Sequence, residues 1–359
     1  MARRAVVQFV ILLVIAAWPC ARGVRAQGRE STLQNIAKLK SGDREIRLAE
    51  GSKKEGELIW YSSTSAEDSL ALSQKFQEKY PFIKVQHFRS PSEKLRERIV
   101  TEARAGSFKA DVVVLGEIEM DTLIKRKLLS RYDAPESKIY PQEVKDPRGF
   151  WTGVYISAWV VAHNTKLVAP SAAPKSYKDL LNPKWKGAIG MEVEPYPWFI
   201  TSLRYLEKRD GREAALDYFK KLQAQDLQWR QGHSLIGQLV SAGEFAIAAE
   251  LQVHTVERLK SQGAPIDWAA PDGVIPINTV GIALSSAGKN THTAALFYDF
   301  VISKVGMETI RERRRVPARP DVTAPYLKPY RLMLFDQQVM QEFERYATLF
   351  RDTLKPRGN

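Results

Sequence analysis

ELIWYSS at residues 57–63, IKVQHFRSPSE at residues 83–93 and ADVVVLGE at residues 110–117 share one pattern, a short apolar or alternating run that ends in small or polar residues. Runs of this length predict strands. Helical spacing of apolar residues follows each run, and Ser-Pro-Ser-Glu at 90–93 is a typical helix start. Three strand–loop–helix units in series predict an α/β fold, with a mostly parallel sheet flanked by helices.

Polar residues at the ends of these strands are candidates for a ligand site. The cleft of such a sheet lies beyond the carboxyl ends of its strands, where helix N-termini favour anionic or carbonyl-bearing ligands. For any serine taken alone, a helix cap is the alternative role. Their shared position favours a binding edge, so we predict ligand contacts by Tyr61, Ser62, Ser63, Ser90 and Glu117.

A second series of the same units begins near residue 188. Predicted strands at 188–193, 227–229 and 245–249 each lead into a polar loop. This series predicts a second α/β lobe with its own strand-end loops. The ligand contacts predicted there are Tyr196, His233, Ser234 and His254.

Two extended segments, 154–162 and 274–285, are predicted to connect the lobes. Both are long for single strands and rich in β-branched residues. The predicted organisation is a first lobe of 57–153 with 274–359, a second lobe of 158–272, and hinge segments at 154–157 and about 273–280. Tyr155 is the ligand contact predicted in the hinge.

The N-terminus has the layout of a secretory signal peptide. Arg3 and Arg4 precede an apolar run at 6–18, and Val24-Arg25-Ala26 resembles a small-x-small cleavage site. The run is shorter than the roughly 20 residues that span a bilayer. We therefore predict that residues 1–26 are removed and that the mature protein is periplasmic. Trp18-Pro19 before Cys20 is unlike a lipoprotein signal, so Cys20 is placed in the removed peptide.

Composition narrows the function classes further. Cys20 is the only cysteine, so the predicted mature chain has no disulfide and no thiolate metal site. The formal charge is +13, and residues 1–26 contribute four arginines and no acid, which leaves about +9 for the mature chain. A basic surface attracts anions. Zinc-finger spacing and RNA-binding aromatic motifs are missing from the sequence, so no nucleic-acid partner is predicted.

The chain resembles a periplasmic substrate-binding protein of an ABC transporter, of the type-2 class that includes ferric-ion-binding proteins. The resemblance implies a monomer of two lobes joined by two hinge strands, which closes around a solute and delivers it to a membrane permease. The segments that carry it are 58–63, 90–99, 110–116, 161–165, 180–187, 239–244 and 315–320.

The ligand of the resembled family differs among its members. In the ferric-binding relatives, neighbouring tyrosines after the last strand of the second lobe help to hold the metal, whereas this chain has Leu-Gln-Val-His at 251–254. The departure favours a small anionic or polar solute, with no metal and no cofactor. Ferric iron held by Tyr, Glu and His side chains remains the alternative, since phenolate and carboxylate oxygens suit Fe(III). The residues offered for it are Tyr61, Tyr155, Tyr196, Glu250, His233 and His254.

An exported enzyme that acts on a small molecule in the cleft is the alternative of another class. The sequence has no His-Glu-x-x-His helix, and residues 232–237 do not form a Gly-x-Ser-x-Gly elbow. We therefore predict a binding protein and assign no catalytic residue.

Overall fold

The computed structural model describes residues 18–322, 324–334, 339 and 342–354. Residues 1–17 of the predicted signal peptide lie outside these ranges. Helix α1 (Trp18–Ala37) runs from there through the predicted cleavage site. Among the described residues, no helix is both long enough and apolar enough to cross a membrane.

The first half of the chain alternates strands and helices as its sequence pattern predicts. After α1 come α2 (Ser41–Glu55), β1 (Glu57–Ser62), α3 (Ala66–Lys79), β2 (Lys84–Arg89), α4 (Ser92–Arg104), β3 (Val112–Gly116), α5 (Glu117–Lys125), β4 (Leu129–Ser130) and the long β5 (Trp151–Asn164). Ser65 caps the N-terminus of α3, because its hydroxyl accepts a hydrogen bond from the Asp68 amide at 3.3 Å.

The second half of the chain repeats the alternation of strands and helices, and β10 then leads back to the first half of the sheet. Its first elements are β6 (Ile189–Glu192), α6 (Tyr196–Asp210), α7 (Arg212–Gln223), β7 (Gln228–Arg230), α8 (His233–Ala242), β8 (Ile247–Gln252), α9 (Val253–Ser261) and β9 (Ile266–Ala269). The return comprises β10 (Val274–Ser285), α10 (Thr291–Ile302), α11 (Lys304–Glu312), β11 (Val316–Pro317), β12 (Arg331–Leu334) and α12 (Phe343–Thr353).

Strands β5 and β10 join the two halves of the sheet. The main order is β2-β1-β3-β10-β5-β8-β6-β7. Strands β1, β2 and β3 run parallel to one another, as do β6, β7 and β8, whereas β10 is antiparallel to both β3 and β5. Residues 151–158 of β5 pair with β10, and residues 159–163 pair with β8. The α/β fold is therefore confirmed, with the antiparallel crossovers that a two-lobed molecule needs.

Each half of the sheet has its own aromatic core. In the first half, the rings of Trp60 and Phe76 each meet Phe297 of α10 edge-on, at centroid distances of 5.0 Å. In the second half, Phe199 and Phe219 pack at 4.7 Å. Edge-on packing is a favoured geometry for aromatic pairs. The separate cores make each half a packed unit of its own.

The predicted mature N-terminus is part of the first core. Residues 27–54 precede the first predicted strand and are rich in charged side chains, but α1 and α2 bury Leu33 and Leu48 against α10. Arg29 of α1 donates to the Gly288 carbonyl at 2.6 Å and to the Thr291 hydroxyl at 3.0 Å. The segment thus covers an apolar face of the first half and holds the start of α10.

The C-terminal helix packs on the second half. Phe350 of α12 meets the rings of Phe199 and Tyr196 at 5.4 and 5.1 Å. The sequence analysis assigns all of 274–359 to the first lobe, because helical apolar spacing does not say which sheet a helix covers. Residues 343–354 contact α6 and α7 instead. The remaining bounds of the two lobes and of the hinge segments stay a prediction.

Replacing Leu33 with alanine tests whether the N-terminal helices contribute to the stability of the fold. Leu33 is fully buried, so Leu33→Ala should lower the free energy of unfolding by about 2–4 kcal/mol in urea denaturation. Leu39→Ala is the matched control, because Leu39 is 38% exposed and its loss should cost under ~1 kcal/mol. Equal effects of the two substitutions would contradict this packing.

Candidate functional site

Helix N-termini line both sides of one crevice. Helices α3, α4 and α5 begin where the parallel strands β1, β2 and β3 end, and α6, α8 and α9 begin where β6, β7 and β8 end. Unpaired amides and the positive ends of the helix dipoles therefore collect at both edges.

Two sets of charges show that these edges face each other. Arg315, just before β11, binds Asp68 in the first turn of α3 and also lowers the pKa of His254 in the first turn of α9. His233 at the start of α8 is close enough to Glu93 at the start of α4 for that carboxylate to raise its pKa. The α3 edge therefore lies opposite α9, and the α4 edge lies opposite α8.

Arg315 is a buried cation at the base of this cleft. Its side chain is 6% exposed, its Nε donates to Asp68 Oδ2 at 2.5 Å, and its guanidinium carbon lies 4.2 Å from the centre of the Tyr155 ring. Burial alone would raise the pKa of Asp68, but Arg315 and then Arg313 hold it below its usual value. Within the described residues, Nη1 and Nη2 of Arg315 make no hydrogen bond, so both are available to an anion.

His254 completes the base of the cleft from the other side. It is buried, and its Nδ1 has no hydrogen-bond partner in the described part of the chain. Burial, followed by the charges of Arg315 and His233, lowers its pKa well below the usual value, so the ring is neutral at pH 7. Buried polar atoms are normally paired. The unpaired Nδ1 is therefore an unusual feature of this buried residue. We call Arg315, Tyr155 and His254 the hinge pocket.

Two further buried polar atoms lack partners at the hinge strand β10. These are Asn278 Oδ1 and Thr279 Oγ1, considered against the described residues. The Thr279 amide is satisfied, because it donates to Glu117 Oε1 of α5 at 3.2 Å. Asn278 lies beside Gly116, with its Nδ2 only 3.8 Å from the position that a Cβ there would take. The end of β3 therefore adds open polar atoms to the first-lobe edge.

A charged cluster lies toward the second-lobe side. His233 Nε2 is 2.8 Å from Glu250 Oε2, and its Nδ1 is 3.7 Å from Glu192 Oε2. Burial would lower the pKa of His233, but Glu250, then Glu192 and Glu93, raise it to about 9. The imidazole is therefore charged at neutral pH. We call Glu192, His233 and Glu250 the Glu–His–Glu cluster.

Backbone amides fix the two carboxylates of this cluster. Glu250 Oε1 accepts from the Glu192 amide at 3.1 Å, and Glu192 Oε2 accepts from the Gly232 amide at 2.7 Å. Burial and then Glu250 raise the pKa of Glu192, against the opposing charge of His233. Glu250 is fully buried, whereas the His233 side chain is 20% exposed. The histidine is thus the part of the cluster most open to the cleft.

Acidic side chains also lie on the first-lobe edge. Burial and then the charge of Glu93 raise the pKa of Glu119 to about 8, so it is mostly protonated at pH 7. Among the described residues, no group of three or more His, Cys, Asp or Glu side chains has a geometry that could hold a metal ion.

Comparison with protein families decides the class of this fold. Residues 107–342 match the family model described as bacterial extracellular solute-binding protein. The chain belongs to this family. Its members are solute-binding components of ABC transporters, which confirms the main functional prediction. They are binding proteins rather than enzymes.

Relatives and solved structures agree with that assignment. Iron uptake protein A1 of Synechocystis sp. is 23% identical over 273 residues, which cover 72% of this chain and 74% of that protein. Iron-bound HitA from Pseudomonas aeruginosa is 23% identical with a TM-score of 0.70, covering 83% of this chain and 99% of that one. AfuA from Actinobacillus pleuropneumoniae, with fructose-6-phosphate bound, is 23% identical with a TM-score of 0.73, covering 84% and 99%. These similarities confirm the type-2 periplasmic-binding-protein fold.

Most of the predicted ligand contacts lie at the two cleft edges. Ser62, Ser63 and Ser90 lie at the ends of β1 and β2, although the Ser62 hydroxyl already accepts from the Thr64 amide at 2.9 Å. Glu117 begins α5 and Tyr155 lies under Arg315. On the second-lobe edge, His233 and the exposed Ser234 begin α8, and His254 lies in the first turn of α9. That they contact the ligand stays a prediction.

Tyr61 and Tyr196 lie away from these groups. The Tyr61 hydroxyl donates to Glu102 of α4 at 3.1 Å, and its ring packs beside Phe88. The Tyr196 ring packs between Phe343 and Phe350 of α12. Period-2 patterning gives each strand residue a face but does not say which face meets the cleft. The three tyrosines considered for iron are therefore not brought together.

The sequence analysis missed Arg315, Glu192, Asn278 and Thr279 as cleft residues. Arg315 is the last of a run of arginines that resembles a solvated helix end. The signal that distinguishes it is the adjacent Val316-Pro317, which begins a strand and so turns Arg315 inward. Glu192 is buried and Glu194 is exposed, because β6 ends at Glu192 and the strand does not continue to Glu194. The partner of Glu192 is Glu250 on the neighbouring strand, which spacing alone does not reveal.

Denaturation at several pH values tests the charged state of His233. A pKa raised from 6.5 to about 9 means that the charged ring stabilises the fold fully below pH 6.5, and that this contribution is lost as the pH rises through 9. The stability difference between wild type and His233→Gln should therefore shrink from pH 6 to pH 9.5. His87→Gln is a control, because burial lowers the pKa of His87 to about 4 and its difference should stay constant from pH 7.5 to 9.5. A His233 difference that grows with pH would contradict the charge assignment.

Proposed function

We propose that this protein is the periplasmic, non-catalytic binding component of an ABC uptake system for a small anionic solute. The observation that supports this most is the buried Arg315, whose Nε is bound to Asp68 and whose two Nη atoms have no hydrogen-bond partner in the described residues. A guanidinium held in a low-dielectric site binds carboxylate or phosphate strongly and in a fixed orientation.

The hinge pocket explains how binding and closure are coupled. Arg315 follows α11, which packs on α3 of the first lobe, whereas His254 belongs to α9 of the second. An anion between them gains contacts from both lobes only when the cleft is closed. Because a ligand shifts a conformational equilibrium by its differential affinity for the two states, the solute stabilises closure. The closed form is then the one presented to the permease.

An organic or inorganic anion is preferred to ferric iron. Iron or ferric ion appears in the names of several similar proteins. Here, however, the turn from β8 into α9 presents Val253 and His254 instead of tyrosines. Tyr61 and Tyr196 are engaged elsewhere, and a neutral histidine beside an arginine is a poor site for a trivalent cation. AfuA, in contrast, is described with a sugar phosphate bound.

The same proposal includes export and action as a monomer. A signal peptide of residues 1–26, cleavage after Ala26 and release into the periplasm are consistent with the N-terminal pattern. Cleavage there leaves Arg29 and the contacts of α1 with α10 intact. The mature chain therefore keeps every described N-terminal contact that stabilises the first core.

Substitution of Arg315 tests the proposed anion site. A panel of phosphates, sulfate and organic carboxylates is screened by thermal shift, and the hits are measured by titration calorimetry. Arg315→Lys keeps the charge opposite Asp68 but removes the forked donors, so affinity should fall about 10- to 100-fold. Arg311→Lys is the control, because Arg311 is exposed, and its affinity should match wild type. Unchanged affinity in Arg315→Lys, with a folded apo protein, would contradict the site.

Ferric iron and turnover are the two outcomes that would replace the proposal. Addition of Fe(III) nitrilotriacetate should give no visible charge-transfer band, because no tyrosine cluster is present among the described cleft residues. A stable coloured complex would favour the iron alternative. Product formation from a bound solute, followed by NMR, would favour the exported enzyme.

A further inference from the structure

Charge changes sign along the cleft. Arg315 lies at one end, paired with Asp68, and His254 in the first turn of α9 is close enough to both Arg315 and His233 for their charges to lower its pKa. Beyond His233 come Glu250 and Glu192, and then Glu93 from the opposite edge. The cleft is therefore positive at the hinge and acidic toward the α8 and α4 edges.

The acidic end carries more negative charge than its histidine neutralises. Glu192, Glu250 and Glu93 face one imidazolium, so the group is net negative even with His233 protonated. Glu119 adds no charge while it is protonated. The charge of Arg96 of α4 lowers the pKa of Glu119 only in part, and Arg96 also lies 3.7 Å from Glu97. Arg230 on β7 is the register partner of Glu192, but its guanidinium lies over the Phe245 ring at 5.2 Å and donates to the Trp229 carbonyl, with no ion pair to the cluster among the described residues. Excess negative charge in a partly buried site favours a cationic group.

His254 links the positive and the negative end, because the charges of both Arg315 and His233 act on it. It is buried, and its Nδ1 has no partner among the described residues. Asn278 presents an unpaired and buried Oδ1, an acceptor, close to Gly116 at the first-lobe edge. Open polar atoms between the charged ends indicate that a polar molecule spans them.

We propose that the solute is a zwitterion, with its anionic group on Arg315 in the hinge pocket and an ammonium group at the acidic end, beside Glu192 and Glu93. This inference rests on the proposed function and names its substrate class. Ligands with several negative charges bind poorly, since their second anionic group meets the carboxylates. A neutral ligand of the same length binds more weakly, because it leaves the excess negative charge uncompensated.

A series of three phosphates tests the inference directly. Ethyl phosphate, 2-hydroxyethyl phosphate and 2-aminoethyl phosphate share the anionic group and differ in the other end. Butanoate and 4-aminobutanoate form a matching carboxylate pair, and citrate represents polyanions. Dissociation constants are measured by titration calorimetry at pH 7. The ammonium-bearing member of each series should bind at least tenfold more tightly than its ammonium-free partner.

Variants separate the two ends of the ligand. Glu192→Gln should reduce the ratio of the two dissociation constants, ethyl phosphate over 2-aminoethyl phosphate, severalfold. Arg315→Lys should weaken every member of a series and preserve the ratio. Glu194→Gln is the matched control, because Glu194 is exposed two residues from Glu192, and its ratio should equal that of wild type.

The outcomes distinguish this inference from the proposed function. Equal or tighter binding of the ethyl, hydroxyethyl or butanoate compound overturns the zwitterion while leaving an anion-binding protein. Tight binding of citrate would also overturn the zwitterion and leave an anion-binding protein. If both series fail and another anion of the screening panel binds without an ammonium group, the zwitterion is again wrong. If no anion binds at all, the proposed function itself fails.

Discussion

The ion pair between Arg315 and Asp68 is the interaction on which the candidate site depends. A guanidinium with 6% of its side chain exposed is too costly to bury unless a carboxylate compensates it, and Asp68 does so at 2.5 Å. The pair uses only the Nε of the arginine. The remaining donors are fixed in direction by the Tyr155 ring beneath them. The guanidinium of Arg315 is therefore held in a fixed orientation by contacts within the protein, and its remaining donors can bind a ligand.

The placement of that ion pair follows from the strands that join the two halves. Because β5 pairs with β10 along its first part and with β8 along its second, the parallel strands on either side point their carboxyl ends at the same crevice. Helices α3 and α9 then begin opposite each other, and so do α4 and α8. β11 pairs with the middle of β5, which brings Arg315 to the crossover itself. The pairing of β5 with β10, β8 and β11 therefore determines the position of the cleft, of the hinge and of Arg315.

The sequence predicts the local units of this fold well and their assembly only in part. ELIWYSS and ADVVVLGE form β1 and β3 as expected, because buried strands require such apolar runs. The serines at their ends lie at the cleft edge for the same reason. Tyr61 and Tyr196 were misplaced because the choice of sheet face is made by helices α4 and α12, which are distant in sequence. Arg315 and the Glu192–Glu250 contact depend on pairing between strands, which local periodicity does not encode.

A crystal structure of the protein isolated from its native periplasm, with the solute it carries, tests the central claim most directly. The account predicts density between the two edges, with an anionic group within hydrogen-bond distance of Arg315 Nη1 and Nη2 and the ligand extending past His254 toward His233. A bound solute that leaves those two nitrogens without a contact, or a metal ion at its place, would contradict it.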